Sequence, residues 1–135
     1  MSTVSPNDPS LRSWVMSANL RDTDFPIQNL PFGIFSTREQ HALRAGVAIG
    51  DQIVDLSILE SAGLLTPSTQ RVFNCPSLND FIALGKVAWH SMREQISQLL
   101  RDDESRLRDD AALRADALVP MRRAVMHLPV KIGGY

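Results

Sequence analysis

Three histidines, one cysteine and a scatter of acids are the side chains in this sequence best suited to act on a substrate. His41, His90 and His127 fall in three separate stretches, and none has a second ligand at the short fixed spacing that a zinc-type site needs. Each reads as surface or edge packing rather than as an acid–base or ligand group. Asp22-Thr23-Asp24 brackets a hydroxyl with two carboxylates. A calcium site takes about six to eight oxygens, and no third oxygen ligand follows at a set interval, so a turn or cap is the simpler reading. Cys75 has no adjacent basic group to lower its pKa and reads as a small packed thiol. Gly46 and Gly50 do not lead from a strand into a helix start, as a phosphate loop must. The pair Arg122-Arg123, with apolar neighbours, is too small for a nucleic-acid patch. Residue type and spacing thus assign no residue to catalysis, to a cofactor or to a metal.

The elements around these residues are easier to read. Residues 1–12, with Pro6 and Pro9, read as a disordered leader. Trp14, Val15 and Met16 form the first apolar group, and Asn19 to Asp24 reads as a loop. Between Phe25 and Gly33 two prolines hold the chain extended, and Ile34-Phe35 follows as a short strand. Across residues 46–56, two β-rich runs flank Gly50-Asp51, a loop of the length and type of a two-residue hairpin turn. That register sets Val47 opposite Val54 and Ile49 opposite Gln52, and puts Val47, Ile49, Val54 and Leu56 on one side. Ser57 to Ala62 reads as a helical turn that Gly63 ends.

Beyond Ser77 the period changes from two to helical. Ser77 and Asp80 match a capped helix start. Phe81, Leu84, Ala88, Met92, Ile96 and Leu99 form one stripe, which predicts a helix over about 78–100 with Gly85 as a weak point. A second helix is predicted over about 103–118, with Leu107, Ala111, Arg114 and Leu118 on one face. Its solvated side would carry the four-residue pairs Asp102–Arg106, Glu104–Arg108 and Asp110–Arg114. Pro120 stops it. Residues 125–132 alternate as a strand, an apolar tail of Val125, Met126, Leu128, Val130 and Ile132 with no partner strand visible in the sequence. The fold class expected is α+β, a small and partly open β-barrel containing the hairpin at 46–56, with the two helices. Its buried set would include Phe32, Val47, Ile49, Val54, Leu56, Phe81, Leu84 and Met92.

Bulk properties bound the function classes. With 135 residues the chain fits one domain with a real core. A formal charge of −1 argues against a global attraction to nucleic acid or to an anionic membrane. A lone cysteine fits a reducing compartment. Residues 1–10 lack the basic and apolar regions of a secretory signal, which makes the cytoplasm the expected location.

Four segments in order resemble fumarylacetoacetase. The run from Asp24 to Ser36, Asp-Phe-Pro-Ile-Gln-Asn-Leu-Pro-Phe-Gly-Ile-Phe-Ser, resembles that family's opening signature. Gly46 to Leu56 resembles its first hairpin, and Leu78 to Gly85 followed by Trp89 resembles its first long helix. His127 to Gly133 is similar to the segment leading into the catalytic domain. The resemblance covers about residues 13–135. It implies a hydrolase that cleaves a carbon–carbon bond of 4-fumarylacetoacetate, giving fumarate and acetoacetate in phenylalanine and tyrosine catabolism. It also implies a homodimer whose small N-terminal domain is a Src-homology-3-like barrel. The larger catalytic domain binds calcium or magnesium through carboxylates and activates water with a histidine.

The tail departs from the family pattern. The family continues Gly-Asp-Tyr-Thr-Asp-Phe-Tyr, the second Asp being its first metal ligand, where this chain has Gly133-Gly134-Tyr135. The resemblance therefore implies residues 13–119 as the N-terminal domain and 120–135 as the start of the catalytic domain. No family catalytic histidine or metal ligand falls on a residue of this chain. The expected role is structural, in assembly with the family's catalytic domain or a full-length relative. A free-standing protein-interaction module and a truncated product without function are the alternatives.

Overall fold

The computed structural model describes residues 8–128. Strands β2 (Arg44–Ile49) and β3 (Gln52–Asp55) form the expected hairpin, with Val47 opposite Val54 and Ile49 opposite Gln52. Gly50 turns the chain at φ +57°, and a Cβ there would lie 2.1 Å from the Ser17 hydroxyl oxygen. Ser17 Oγ donates to Asp51 Oδ1 at 2.7 Å and accepts from the Asp51 amide at 3.0 Å. That hydroxyl holds the exposed Asp51 carboxyl below its ordinary pKa. Val47, Ile49, Val54 and Leu56 are all buried in one cluster, as the alternation requires.

Strand β1 (Phe32–Thr37) pairs antiparallel with β2. The edges are taken by β4 (Leu118–Pro120) beside β3 and β5 (Ala124–His127) beside β1, giving the order β4-β3-β2-β1-β5. The apolar tail thus has a partner after all: Val125 lies opposite Ser36 and Met126 opposite Phe35. The sequence could not show this, because β1 lies some ninety residues upstream; its open edge offers the backbone donors and acceptors that a returning strand satisfies. Val130 and Ile132 lie outside the described residues.

Both long helices predicted from spacing are interrupted. The first is α2 (Asn79–Ile82) and α3 (Lys86–Leu100), separated by Gly85 at φ +92° and ψ 172°, a backbone region essentially confined to glycine. Ser77 Oγ accepts from the Asn79 amide at the start, and the apolar stripe persists across the break. Phe81, Met92, Ile96 and Leu99 are buried, while Phe32 and Leu84 pack against the core only partly buried. The second is α4 (Ser105–Arg108) and α5 (Ala111–Ala117). Asp110 breaks it by accepting from the Leu113 amide, which caps a new helix. Four-residue ion pairs need one continuous axis. Without it Arg106 pairs with Glu104, Arg108 with Asp109, and Arg114 donates to the Arg108 carbonyl, in place of the three predicted pairs. The inner face also shifts: Leu107 and Ala117 are buried, and Ala111 is exposed.

A buried ion pair ties the hairpin to its surroundings. Arg44 Nε donates to Asp55 Oδ2 at 2.9 Å, with the two side chains 6% and 3% exposed. Arg44 Nη1 donates to the Gln40 and Ala42 carbonyls, and the guanidinium carbon lies 4.4 Å from the Phe35 ring centroid. The other Asp55 oxygen accepts from the Ser57 amide and hydroxyl, capping α1 (Leu56–Ser61), which runs out before Gly63 at φ +80°. At the far end of α1 the Glu60 carboxylate accepts from the Val72 and Phe73 amides and so pins the next loop.

Two stability measurements test this architecture. In an unbroken helix Gly85→Ala would stabilise by about 1 kcal/mol; at the observed backbone angles it should destabilise by about 1–3 kcal/mol in urea unfolding. Asp55→Ala strands the buried guanidinium and uncaps α1, so it should cost about 3–5 kcal/mol. Replacing both partners, as Arg44→Met with Asp55→Ala, should cost less than the two single losses added together.

Candidate functional site

The structure keeps the reactive side chains apart. His41 is exposed in the loop after β1, and His90 is exposed on α3. His127, at the end of β5, has its Nε2 2.8 Å from Ser36 Oγ. Asp22 and Asp24 are exposed in a loop where Thr23 Oγ1 accepts from the Phe25 amide, a local turn bond. Cys75 Sγ donates to Asp80 Oδ2 at 3.5 Å. Burial first, then the Asp80 carboxylate, pushes its thiol above the ordinary range and away from nucleophilic reactivity. Arg122 and Arg123 are exposed in the turn between β4 and β5. Among the described residues no three of His, Cys, Asp and Glu come close enough together to hold a metal ion.

What the sheet does build is an apolar surface. One face carries Ile34, Ala45, Val47, Ile49 and Val54 into the core against the helices. The opposite face carries Phe35, Gly46, Ala48 and Ile53, and with Phe25 and the methionines Met121 and Met126 it walls a cleft of about 200 Å³. The glycine at 46 sets its depth. A Cβ there would lie 2.6 Å from Ile53 Cγ2 and 2.8 Å from the Phe35 ring, so only glycine lets that ring lie against β2. Gly33 does the same more gently, since a Cβ there would lie 3.0 Å from Met126 Cε.

The cleft opens at β5. Met126 is 59% exposed, and its neighbours Val125 and Leu128 are 50% and 77% exposed. Met126 thus stands exposed beside the concave apolar floor, while Val125, opposite Ser36, points to the other face of β5. The sequence shows the apolar residues of the tail but not their pairing with β1. It does not show the floor under them, because Gly33, Phe35 and Gly46 come together only through strand register. Nor does it show the Arg44–Asp55 pair, although Asp55 two residues before Ser57 is a recognisable capping pattern.

A family model described as "Fumarylacetoacetase N-terminal" matches residues 28–129. The fumarylacetoacetase of Homo sapiens is 50% identical over 116 residues, that of Caenorhabditis elegans 47% over 117, and that of Arabidopsis thaliana 38% over 117. These matches cover 84–85% of this chain but only 28% of each relative, so the chain spans little more than a quarter of their length. With the matching segment lying over the whole described sheet and its helices, the chain belongs to the fumarylacetoacetase N-terminal domain family.

Proposed function

We propose that this domain serves a fumarylacetoacetase as a packing and assembly module, and that the chemistry belongs to residues beyond it. The reaction is hydrolysis of 4-fumarylacetoacetate to fumarate and acetoacetate, a step of phenylalanine and tyrosine catabolism in the cytoplasm. Attack of water beside a ketone requires a base together with a metal or a preorganised cationic site. The dispersal of His41, His90 and His127 over separate elements is the observation that carries this reading. None of them shares a site with a carboxylate cluster among the described residues. The apolar cleft that opens at Met126 supplies the surface on which such a module would pack.

The proposed barrel is Src-homology-3-like. Strands β4 and β5 occupy opposite edges of the sheet, yet only Met121–Arg123 separates them. In a flat five-stranded sheet those edges would lie about 19 Å apart at ~4.8 Å per strand. The chain from Pro120 to Ala124 reaches at most about 15 Å. A sheet joined this way has to curl, which supports a partly open barrel with the cleft on its concave side. No helix among the described residues is long and apolar enough to cross a membrane.

The proposal is tested on the purified 135-residue chain. Calorimetric titration with Ca²⁺ or Mg²⁺ and an absorbance assay on 4-fumarylacetoacetate should show neither tight metal binding nor turnover above the uncatalysed rate. Micromolar metal affinity, or turnover, would overturn it. The packing role is checked by size-exclusion of this chain mixed with a fumarylacetoacetase polypeptide that begins after the matched region. The two should co-elute, and Met126→Asp should weaken the association by about tenfold or more while leaving the melting temperature of the chain alone nearly unchanged.

A further inference from the structure

A second cleft, of about 390 Å³, shares no lining residue with the cleft at Met126 and takes no part in the packing role. Its volume is in the range of small-ligand sites, about 300–1,000 Å³. The floor is aromatic. Phe81, 2% exposed, meets Phe32 edge-on with ring centroids 5.2 Å apart and leans on the buried Phe73 at 5.1 Å. Trp89 forms one wall, its ring fixed because Nε1 donates to the Phe81 carbonyl at 3.1 Å, and Leu78 backs the other. Ile82, 41% exposed, stands at the rim.

One cation sits over this apolar floor. The Arg93 guanidinium carbon is 5.7 Å from the Phe32 ring centroid, and Nη1 donates to the Asn29 carbonyl at 2.8 Å. Those two contacts hold the guanidinium in place without neutralising it, since no carboxylate among the described residues pairs with it. Glu94, next in sequence, lines a different hollow with Gln98 and Arg106, and Asp80 faces Cys75. His90 adds a hydrogen-bonding imidazole on the same rim. A planar guanidinium with free N–H groups matches a carboxylate in geometry. A single positive charge against apolar walls suits one negative charge, because a second would be desolvated without a partner.

We propose that this cleft binds a small amphipathic monocarboxylate, its ring or alkyl body on Phe81 and Trp89 and its carboxylate on Arg93. The aromatic floor favours a planar body through edge-to-face contacts. The site is independent of the cleft at β5 and of the packing role argued from it.

The probe is 3-phenylpropanoate, with 3-phenylpropan-1-ol and 3-phenylpropylamine as charge controls, titrated into the whole chain by ¹H–¹⁵N spectroscopy. The acid should shift the Trp89 indole N–H peak and the amides around Phe81, and bind about tenfold or more tighter than the alcohol; the amine should be weakest. Arg93→Gln should abolish the preference for the acid and Arg93→Lys should retain part of it. Because Arg93 also holds Asn29, Ile82→Trp gives a second variant. It fills the rim without touching Arg93 and should weaken acid and alcohol alike. Equal affinity for acid and alcohol would overturn the proposal. So would shifts that fall on the Met126 cleft instead, or no shift at Trp89 up to on the order of 10 mM acid.

Discussion

Arg44 and Asp55 place two full charges where water scarcely reaches, and three parts of the fold depend on their meeting there. The guanidinium spans the loop after β1 through the Gln40 and Ala42 carbonyls and packs on Phe35. The carboxylate closes the end of the hairpin ladder and starts α1. A pair of this kind adds little net stability relative to a well-packed apolar pair, yet removing one member is severe because the other is left buried and alone. Its effect is therefore on which structure forms: a register slip of one residue in β2 or β3 would separate the charges and move every apolar side chain to the wrong face.

How much of this was legible in the sequence follows from the range of each interaction. The hairpin could be read to the residue, because Gly50-Asp51 and the alternation around it are local. The helical stripe from Phe81 to Leu99 could be read too, but its interruption could not. Glycine in a helix only weakens it on average, and nothing local says that Gly85 will take a conformation that ends one. Asp110 is similar: it reads equally well as an acid of a solvated face or as a cap, and tertiary packing of Leu107 and Ala117 favours the cap. The β1–β5 pairing and the cleft under Met126 join residues about ninety positions apart. The family resemblance could be read as well, from the runs at 24–36, 46–56 and 78–89, and the family match over residues 28–129 bears it out.

A division of labour emerges between the two faces of the sheet. One face is consumed by the domain's own core, with Val47, Ile49 and Val54 against the helices. The other is shaped by two glycines and edged by two methionines. Methionine is flexible and polarisable and adapts to an irregular partner surface. A rigid floor of Phe35 and Ile53 under an adaptable rim is the geometry on which the proposed packing role rests. The position of β5 matters here, since the last strand of the sheet delivers the chain to the rim of the cleft at Leu128.

The central claim, that the β5 rim and the cleft beneath it are the surface by which this domain engages the rest of a fumarylacetoacetase, is tested most directly by amide hydrogen exchange. The chain would be followed alone and mixed with a fumarylacetoacetase polypeptide that begins after the matched region. The account predicts slowed exchange at β5 and at the turn Met121–Arg123, with α3 and the Gly50-Asp51 turn unchanged. Protection confined to α3 or the Gly50-Asp51 turn, or no change at β5 on mixing, would contradict it.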